Sequence, residues 1–344
     1  GRVDLSGTGT ATITVTGNIT STGGESDQPG SVGGNAGTIF FETDDQPITL
    51  NGSTITADGG AAVLADIGSG GLVIFNDEVA IGDNDAIITT GAVATGNIIF
   101  SDTVDSVNAG AGALTLTSGA GNISFNGIVS GVDLLGNTTI NEATNVTLVG
   151  AFTTTAFNQA VAGTGTFLNT GALTAATGAI TINSDQVDLD ANVSTADTAQ
   201  SITITGGANG IDLAAAAMIT STPAADGLAG GAITITANEG AMNLDGALVS
   251  SGSDNGAGAG GNAGAIQLTG TGAATITVDG SITSTGGTGV GAAGGAGGGA
   301  SLGLDLDLDL GGAMARLVLS RKLNASGEEA VIGASEYSEE THGA

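Results

Sequence analysis

Residues 6–24 read SGTGTATITVTGNITSTGG, and residues 269–287 read TGTGAATITVDGSITSTGG. The two stretches lie 263 positions apart, and they differ at only four positions. Recurrence of one segment within a chain is typical of repeat architectures, in which each unit stacks on its neighbours. Within the segment, apolar residues alternate with threonine at the two-residue period of a β-strand. We therefore predict that Ile13 and Ile276 point inward and that Thr14 and Thr277 point outward.

The composition favours a thin, regular core over an ordinary globular one. Of the 344 residues, 63 are glycine and 3 are proline, aromatic residues make up 3% and tryptophan is absent. Runs rich in β-branched residues recur between the glycine clusters, and a disordered linker would lack them. These runs are short and are bounded by Gly, Asn, Asp or Ser, which are strand and turn signals. The chain is therefore predicted to be all-β.

A 25-residue period in the middle of the chain indicates the type of β-fold. VIFNDEV at 73–79, IIFSDTV at 98–104 and ISFNGIV at 123–129 place Phe75, Phe100 and Phe125 at one position. Stacking of equal positions about 4.8 Å apart predicts a parallel β-helix with an aromatic ladder, for which right-handed winding is the default. An antiparallel β-sandwich array, the competing fold, does not explain this register. The position after the phenylalanine in each repeat is occupied by Asn76, Ser101 and Asn126, and we predict that these side chains form a hydrogen-bonded ladder at a corner.

The repeats divide the chain into zones. Residues 1–60 and 199–298 contain long units, and residues 61–198 contain shorter ones. We therefore predict one solenoid over residues 1–298, with coils of roughly 25–33 residues. Residues 299–344 begin with a Gly-rich linker and the alternating segment SLGLDLDLDLGG, and we predict a cap or a disordered tail there. Because the chain begins inside what the repeats identify as a coil, we expect it to be a piece of a longer protein.

The charge excludes two classes of partner. The chain carries 34 acidic and 4 basic residues, a formal net charge of −30, and no Lys, Arg or His lies between Val3 and Ala315. Nucleic-acid phosphates and anionic membrane surfaces are bound through basic groups, so neither is an expected partner. Cysteine is absent, and no apolar run is long enough to span a bilayer. The acidity would keep a β-rich surface soluble.

Two segments resemble a known family. GALTLTSGAGNISFNGIVSG at 112–131 resembles the repeats of very large bacterial surface proteins of the filamentous-haemagglutinin-like type. GGNAGAIQLTGTGAATITVDGSITSTGG at 260–287 resembles the Gly-Asn-Ala-Gly repeats of the same proteins. The resemblance covers about residues 1–298. It implies a right-handed parallel β-helix, export to the cell surface or medium, and a role in adhesion or in an extracellular matrix.

Catalytic chemistry has few candidates in this sequence. β-Helical polysaccharide lyases and hydrolases commonly use basic side chains that have no counterpart between Val3 and Ala315. A carboxylate pair alone can hydrolyse a glycoside, and the best cluster is Asp185, Asp188 and Asp190. Of these, Asp188 and Asp190 should share a strand face. A serine or cysteine nucleophile needs a base, which the single histidine in the polar tail does not provide. We expect no catalysis.

Calcium is the one cofactor that the sequence suggests, as a weak or structural site. Ca²⁺ takes six to eight oxygen ligands. Neither candidate group matches an EF-hand loop or a glycine-rich nonapeptide roll, so solvated turns are the alternative. The candidate ligands lie at two predicted turns, Asp83, Asn84 and Asp85 at one and Glu42, Asp44 and Asp45 at the other.

Threonine-rich strands such as TATITVT at 10–16 are compatible with ice binding, in which a flat threonine array meets a lattice of ordered water. Such binding requires threonine columns that stay aligned over many coils. Because the period drifts along the chain, we predict an irregular array, and threonine is in any case favoured on exposed strands. Ice binding is therefore not expected.

The sequence thus predicts an extracellular protein of a bacterial cell surface with a structural or adhesive role. Its partners would be a cell-surface or matrix carbohydrate or protein, or further copies of itself. Two alternatives stay open at this point: a self-assembling filament or matrix subunit, and a carbohydrate-active enzyme on the same fold.

Overall fold

The chain winds repeatedly around one hydrophobic core. A computed structural model describes residues 1–62, 67–91, 95–160, 163–196, 200–290, 300–305 and 317–319. All regular structure in these residues is β. The first four coils contain β1 (Val3–Ser6), β2 (Ile13–Val15), β3 (Ile19–Thr20), β4 (Ile39–Glu42), β5 (Ile48–Leu50), β6 (Thr54–Thr56), β7 (Val73–Phe75), β8 (Val79–Ile81), β9 (Ala86–Thr89), β10 (Ile98–Phe100), β11 (Val104–Ser106) and β12 (Leu114–Thr117).

The later coils contain longer strands, two of which turn a corner without interruption. The strands from the start of coil 5 to the middle of coil 8 are β13 (Asn122–Phe125), β14 (Thr138–Glu142), β15 (Asn145–Leu148), β16 (Phe152–Thr154), β17 (Phe157–Gln159), β18 (Gly163–Asn169), β19 (Leu173–Ala175), β20 (Ile180–Leu189) and β21 (Val193–Thr195). The remaining strands are β22 (Ile202–Leu213), β23 (Met218–Ser221), β24 (Ile233–Asn238), β25 (Met242–Leu244), β26 (Ala247–Val249), β27 (Ile266–Thr271), β28 (Ile276–Val278), β29 (Ile282–Thr283), β30 (Ala300–Asp305) and β31 (Leu317–Leu319).

The strands pair in parallel and form three walls. Wall A contains β1, β4, β7, β10, β13, β15, β18, the second halves of β20 and β22, β25, β28 and β31. Wall B contains β2, β5, β8, β11, β16, β19, β21, β23, β26 and β29, with Val129 bridging β11 and β16. Wall C contains β3, β6, β9, β12, β14, β17, the first halves of β20 and β22, β24, β27 and β30.

This arrangement confirms the predicted all-β parallel β-helix; its right-handed sense stays a prediction. Each coil passes from wall A to wall B to wall C, and we name the corners between them AB, BC and CA. No helix in the described residues is long and apolar enough to cross a membrane. The alternating Leu/Asp segment begins inside β30, which extends wall C beyond β27. Apart from β30 and β31, the segment 299–344 that was predicted to hold a Gly-rich linker and a cap or tail lies outside the described residues.

The coils differ in length, but the strands stay in register. On wall A the first coil, from Val3 to Ile39, spans 36 positions, and the shortest, from Phe167 to Val187, spans 20. The coil from Met242 to its partner Ile276 again spans 34. This range of coil lengths is wider than the predicted one. Because equal strand positions still face each other, the variation in length falls in the corners.

Inward side chains form columns along the axis. Phe41, Phe75, Phe100 and Phe125 are buried, with successive ring centroids 4.7, 5.0 and 4.7 Å apart and nearly parallel planes. The predicted aromatic ladder is therefore confirmed and gains Phe41 as a fourth member. Beyond Phe125 the buried rings come from all three walls and meet edge to face. Aromatic contacts of both kinds add to the free energy gained from burial.

The duplicated segment occupies different walls in its two copies. In the first copy Ile13 belongs to wall B and Ile19 to wall C. In the second copy Ile276 belongs to wall A and Ile282 to wall B. The two copies are therefore coils of one solenoid, as expected, but one is shifted by a wall relative to the other.

The predicted side-chain orientations within the two copies are confirmed. Ile276 is buried, and Ile13 packs against the same core near the open end of the solenoid. Thr14 is exposed and Thr277 is half-buried on the outer side of its strand. Local alternation therefore determines the inward face whichever wall the strand joins.

The Gly-rich loops follow the same shift. In coils 1 to 3 they project from the CA corner and stack on each other, with Gly60 N donating to Gly34 O at 2.8 Å and Gly34 N to Gly24 O at 2.7 Å. In coils 9 to 11 they project from the BC corner, where Gly287 N donates to Gly261 O at 2.8 Å. A Cβ on Gly60 would lie 2.0 Å from Gly24 O, so a larger residue does not fit this layer.

Candidate functional surfaces

A ladder of amide side chains runs along the start of wall A, on its outer side. Asn97 Oδ1 accepts a hydrogen bond from Asn122 N at 2.8 Å, and Asn122 Oδ1 accepts one from Asn145 Nδ2 at 2.7 Å. Asn145 Oδ1 accepts from Thr166 N at 2.7 Å, and Thr166 Oγ1 donates to Gln186 Oε1 at 3.2 Å. Sequence reasoning missed this ladder, although its signal was an asparagine just before or at the start of three neighbouring strands of wall A.

The ladder that was predicted at the AB corner forms only in part. Asn76 Nδ2 donates to Glu42 Oε1 at 3.2 Å, and Ser101 Oγ donates to Asn76 Oδ1 at 3.5 Å. Asn126 does not join them, because its Oδ1 accepts a hydrogen bond from Ser124 of the same coil at 2.7 Å. The predicted column is therefore correct for Asn76 and Ser101 and wrong for Asn126.

The four aspartates among the calcium candidates lie at two different corners. Asp83 and Asp85 are in the turn after β8 at the BC corner, and Asp44 and Asp45 are in the turn after β4 at the AB corner. Asp83 Oδ1 accepts from Asn108 Nδ2 at 2.6 Å, and Asp85 Oδ1 accepts from the backbone N–H of the residue before β12 at 3.1 Å. The structure therefore keeps the two pairs apart as two separate turns.

The carboxylates of these turns hold neighbouring coils together. Asp44 Oδ2 accepts from Gly9 N at 2.6 Å, and Asp45 has a positive φ of 56° at the tip of its turn. Asn84, between the two aspartates of the other turn, donates through Nδ2 to Asn51 Oδ1 at 2.8 Å. Among the described residues, no three His, Cys, Asp or Glu side chains come together in an arrangement that could hold a metal ion. Calcium binding stays a prediction.

Of the three aspartates proposed for glycoside hydrolysis, Asp185 lies at a different corner from Asp190, whereas the Asp190 carboxylate is near enough to raise the pKa of Asp188. Asp185 lies at the CA corner and accepts from Ala208 N at 2.9 Å and from Asn209 Nδ2 at 2.5 Å. Asp188 lies on the outer side of wall A, in register with Asp212 of the next coil. Asp190 follows the end of β20, at the AB corner. Asp188 is therefore paired across strands with a residue that the sequence did not single out.

Electrostatics at this pair are unfavourable for two charges. Burial raises the pKa of Asp188, and the carboxylates of Asp190 and Asp212 raise it further. Like charges directly opposite each other on adjacent strands destabilise a sheet. The pair is thus a source of pH-dependent stability as well as the strongest remaining candidate for acid–base chemistry.

An open groove of about 300 Å³ crosses the CA corner of coils 7 to 9. Only one of the residues that line it carries a carboxylate, and a glycosidase needs two across the scissile bond. The groove could bind a polar ligand through its hydroxyl and amide groups. Its lining consists of Gly163, Thr164, Asn183, Ser184, Asp185, Thr205, Gly207 and Asn238.

A second acidic group lies on wall B, near the AB corner. Burial raises the pKa of Glu78, and the carboxylates of Asp105 and Asp102 raise it further. Asp105 is covered by the irregular loop of coil 5, whose Val132 N donates to Asp105 Oδ1 at 3.0 Å. Val132 itself is 87% exposed. The carboxylate of Asp105 therefore stabilises a loop in a coil whose pairing on wall B is reduced to isolated bridges at Val129 and Leu135.

Wall C carries two outward columns rich in threonine. Neighbouring members of each column are direct strand neighbours, and the two columns are two positions apart on the strands that carry both. Column II is interrupted at β14, where the register shifts, and at β17. Column I contains Thr54, Ile87, Thr115, Thr139, Asn158, Thr181, Thr203, Thr234 and Gln267. Column II contains Thr20, Thr56, Thr89 and Thr117 in the first coils and Asn183, Thr205, Thr236 and Thr269 in the later ones.

No protein family, no curated protein and no solved structure matches this chain. The filamentous-haemagglutinin-like resemblance of the repeats is therefore a hypothesis based on the sequence alone. What the chain does must be argued from its own surfaces.

Proposed function

We propose that this protein is a structural or adhesive component of a bacterial cell surface, exported from the cell and acting as a rod without catalysis. The observation that carries the proposal is the repetition of outward side chains in register, coil after coil, along all three walls. A surface of this kind offers many equal contacts. Weak contacts that are held on one rigid body add up to strong attachment without a single deep site.

The charge distribution supports an exported, non-enzymatic role. The chain has a formal net charge of −30, and in the described residues the carboxylates are spread over corners and walls, as at Asp83, Asp102, Asp188 and Asp245. This field repels acidic polymers and prevents neighbouring rods from associating through their walls. We therefore propose neutral carbohydrate or protein of a cell surface or matrix as the partner, in preference to acidic polysaccharide.

Changing the number of coils tests the proposal. Removing residues 98–122 would place Ile123 directly after Asn97 and stack Phe125 on Phe75, because both pairs are already equivalent in register. Duplicating the same segment would add one coil. Beads that carry each variant at equal density are pulled from surfaces coated with neutral polysaccharide, acidic polysaccharide or matrix protein. Detachment force is expected to rise with coil number on a surface that the rod binds.

The control and the contradicting outcomes are distinct. The control is the circular dichroism of each variant, which should show the same proportion of β-structure as wild type, so that a change in detachment force reflects coil number and not misfolding. Detachment force that is independent of coil number would contradict multivalent attachment. Polysaccharide turnover that is abolished by Asp188→Ala would contradict a role without catalysis. Regular filaments of the purified chain in electron micrographs would favour the self-assembling alternative over adhesion to another surface.

A further inference from the structure

We propose that wall C is an ice-binding face, whose two threonine columns adsorb to the ordered lattice of frozen water. The proposal concerns coils 7 to 10, where threonine fills most positions of both columns. It goes beyond the proposed adhesive role and does not depend on it.

The alignment of the columns removes the main objection to ice binding. The stretch of chain from Thr203 to Thr234 is longer than the stretch from Thr181 to Thr203, yet each pair is in direct register. Thr205 and Thr236 are equally aligned in the second column. The corners take up the differences in coil length, so the strands of wall C stay in register. The array is therefore regular, although the drifting period predicted an irregular one.

The columns form a two-dimensional grid. Neighbouring strands of a sheet lie about 4.8 Å apart, and residues two apart on one strand are separated by about 6.6 Å. The stacked rings of Phe41, Phe75 and Phe100, with centroids 4.7 and 5.0 Å apart, show that coils in this chain keep that spacing. A periodic grid of hydroxyl and methyl groups can match a periodic lattice, which a single pocket cannot.

Five threonine hydroxyls of wall C in coils 7 to 9 are free to bind water. In the described residues, the side chains of Thr181, Thr203, Thr205, Thr234 and Thr236 have no hydrogen-bond partner, and all five are half-buried at the outer surface. Their β-branched side chains have few rotamers, so the hydroxyl positions are fixed before the lattice is met. The array therefore presents donors, acceptors and methyl groups at constant positions.

Other hydroxyls of the chain are used internally. On wall B, Thr174 Oγ1 and Ser194 Oγ lie 3.1 Å apart and bond to each other. Inside the solenoid, Ser250 Oγ donates to Gly231 O at 2.6 Å. The unpaired hydroxyls of Thr181, Thr203, Thr205, Thr234 and Thr236 thus differ from these internally bonded ones.

The grid is also uncharged on a strongly acidic protein. In coils 7 to 10 both columns contain only Thr, Asn and Gln, whereas the equivalent outer column of wall A contains Asp188 and Asp212. A neutral strip is complementary to a neutral ligand. The columns of these coils also lack the aromatic rings and paired carboxylates through which a soluble glycan would be recognised, so a flat lattice of water fits the surface better.

The test measures entry of the full chain into growing ice. Ice is grown slowly from a dilute solution, and the protein in the ice is compared with the protein left in the liquid. Wild type should be enriched in the ice and should slow recrystallisation. Thr234→Lys, which places a charged side chain at the centre of the grid, should be excluded from the ice. Thr234→Val, which keeps the shape and removes one hydroxyl, tests the same position without a charge and should lower the enrichment.

The matched control is Thr153→Lys, because Thr153 occupies an outward position on wall B and adds the same charge. It should enter ice as wild type does, and circular dichroism should show the same β-structure in all variants. Exclusion of wild type from ice would overturn the proposal, as would equal behaviour of Thr234→Lys and Thr153→Lys. Binding to powdered neutral polysaccharide that Thr234→Lys abolishes, without entry into ice, would assign the grid to carbohydrate and also overturn it. None of these results would alter the coil-number test of adhesion.

Discussion

Ser21 and Ser284 make the same hydrogen bond at different corners of the solenoid. Ser21 Oγ donates to Gly1 O at 2.7 Å at the CA corner, and Ser284 Oγ donates to Gly264 O at 2.8 Å at the BC corner. Both serines and both glycines are 263 positions apart. The segment therefore forms the same corner hydrogen bond at either place. Residues outside the segment determine which wall its strands join.

Removing such a corner hydroxyl should destabilise the coil. Ser250 is fully buried and donates to Gly231 O at 2.6 Å. In Ser250→Ala the carbonyl loses its partner, and a buried unpaired group costs about 1–3 kcal/mol. Urea unfolding should show this loss. Ser281→Ala, an exposed position one strand further along, is the control and should change stability by less than about 0.5 kcal/mol; equal effects would contradict the structural role of the bond.

A side chain at a stacked corner glycine should prevent close approach of two coils. A Cβ on Gly121 would lie 1.7 Å from the carbonyl oxygen of Gly96, which is backbone and cannot move alone. Gly121→Ala is therefore expected to lower the unfolding temperature strongly or to yield misfolded protein. Gly17→Ala is the matched control, because a Cβ there meets no atom within 4 Å. A folded Gly121→Ala protein with wild-type stability would show that the corner is looser than the structure indicates.

The aromatic ladder should be most sensitive at its centre. Phe100 stacks on Phe75 at 5.0 Å and on Phe125 at 4.7 Å. Phe100→Ala leaves a cavity between two rings and should cost about 3–5 kcal/mol, whereas Phe100→Leu keeps most of the volume and should cost less. Guanidinium unfolding measures both. Equal losses for the two variants would mean that cavity volume does not determine the effect.

Stability should rise as the pH falls from neutral towards about 4, the range in which aspartate and glutamate take up protons. Burial raises the pKa values of Asp58, Glu78 and Asp188, so each of these groups binds a proton more readily in the folded chain than in the unfolded chain. Hydrogen bonds with Thr288 lower the pKa of the exposed Asp254 and oppose this trend. When the folded state binds more protons, the free energy of unfolding decreases as the pH increases. The cost is present above the folded-state pKa values and disappears below the unfolded-state ones. Thermal unfolding at a series of pH values measures this slope.

Asp188→Asn isolates one contribution to that slope. It removes the like-charge pair with Asp212 and should stabilise the protein at pH 7 by about 0.2–1 kcal/mol, the usual range for cross-strand pairs. The gain should vanish at pH 3, where the carboxyl groups are protonated. Asp27→Asn removes the same charge from an exposed loop and serves as the control. A gain that persists at pH 3 would point to a cause other than charge.

The fold was largely predictable, because strand alternation and in-register spacing are properties of the sequence. The 25-residue spacing placed Phe75, Phe100 and Phe125 in one column, and the structure confirms it. The number of residues per coil was predictable only where it was constant. After Val129 the corners shorten. Because a corner of any length can join two strands that remain in register, the number of residues between equivalent positions no longer indicates the fold.

The surfaces were harder to predict than the core. Thr181 and Thr203 could not be aligned from the sequence, because the irregular spacing between them hides their register. Asp188 and Asp190 were singled out together, and the Asp190 carboxylate does act on Asp188, but the cross-strand neighbour Asp212, one coil away, was missed. Cross-strand neighbours determine the chemistry of a wall, and they are set by corner lengths that carry no periodic signal.

The shifted duplication has a consequence for the gene. Recombination between the two copies of the segment would delete or repeat everything that lies between them. Such an exchange would connect Ile13, on wall B, to the residues that follow Ile276, on wall A. Because the segment builds the same strands and the same corner bond on either wall, we expect the recombinant chain to close its coils simply by rotating all later coils by one third of a turn. The duplicated segment fits walls B and C in one copy and walls A and B in the other, so we expect an exchange at this segment to change the length of the chain by a step that is not a whole number of coils.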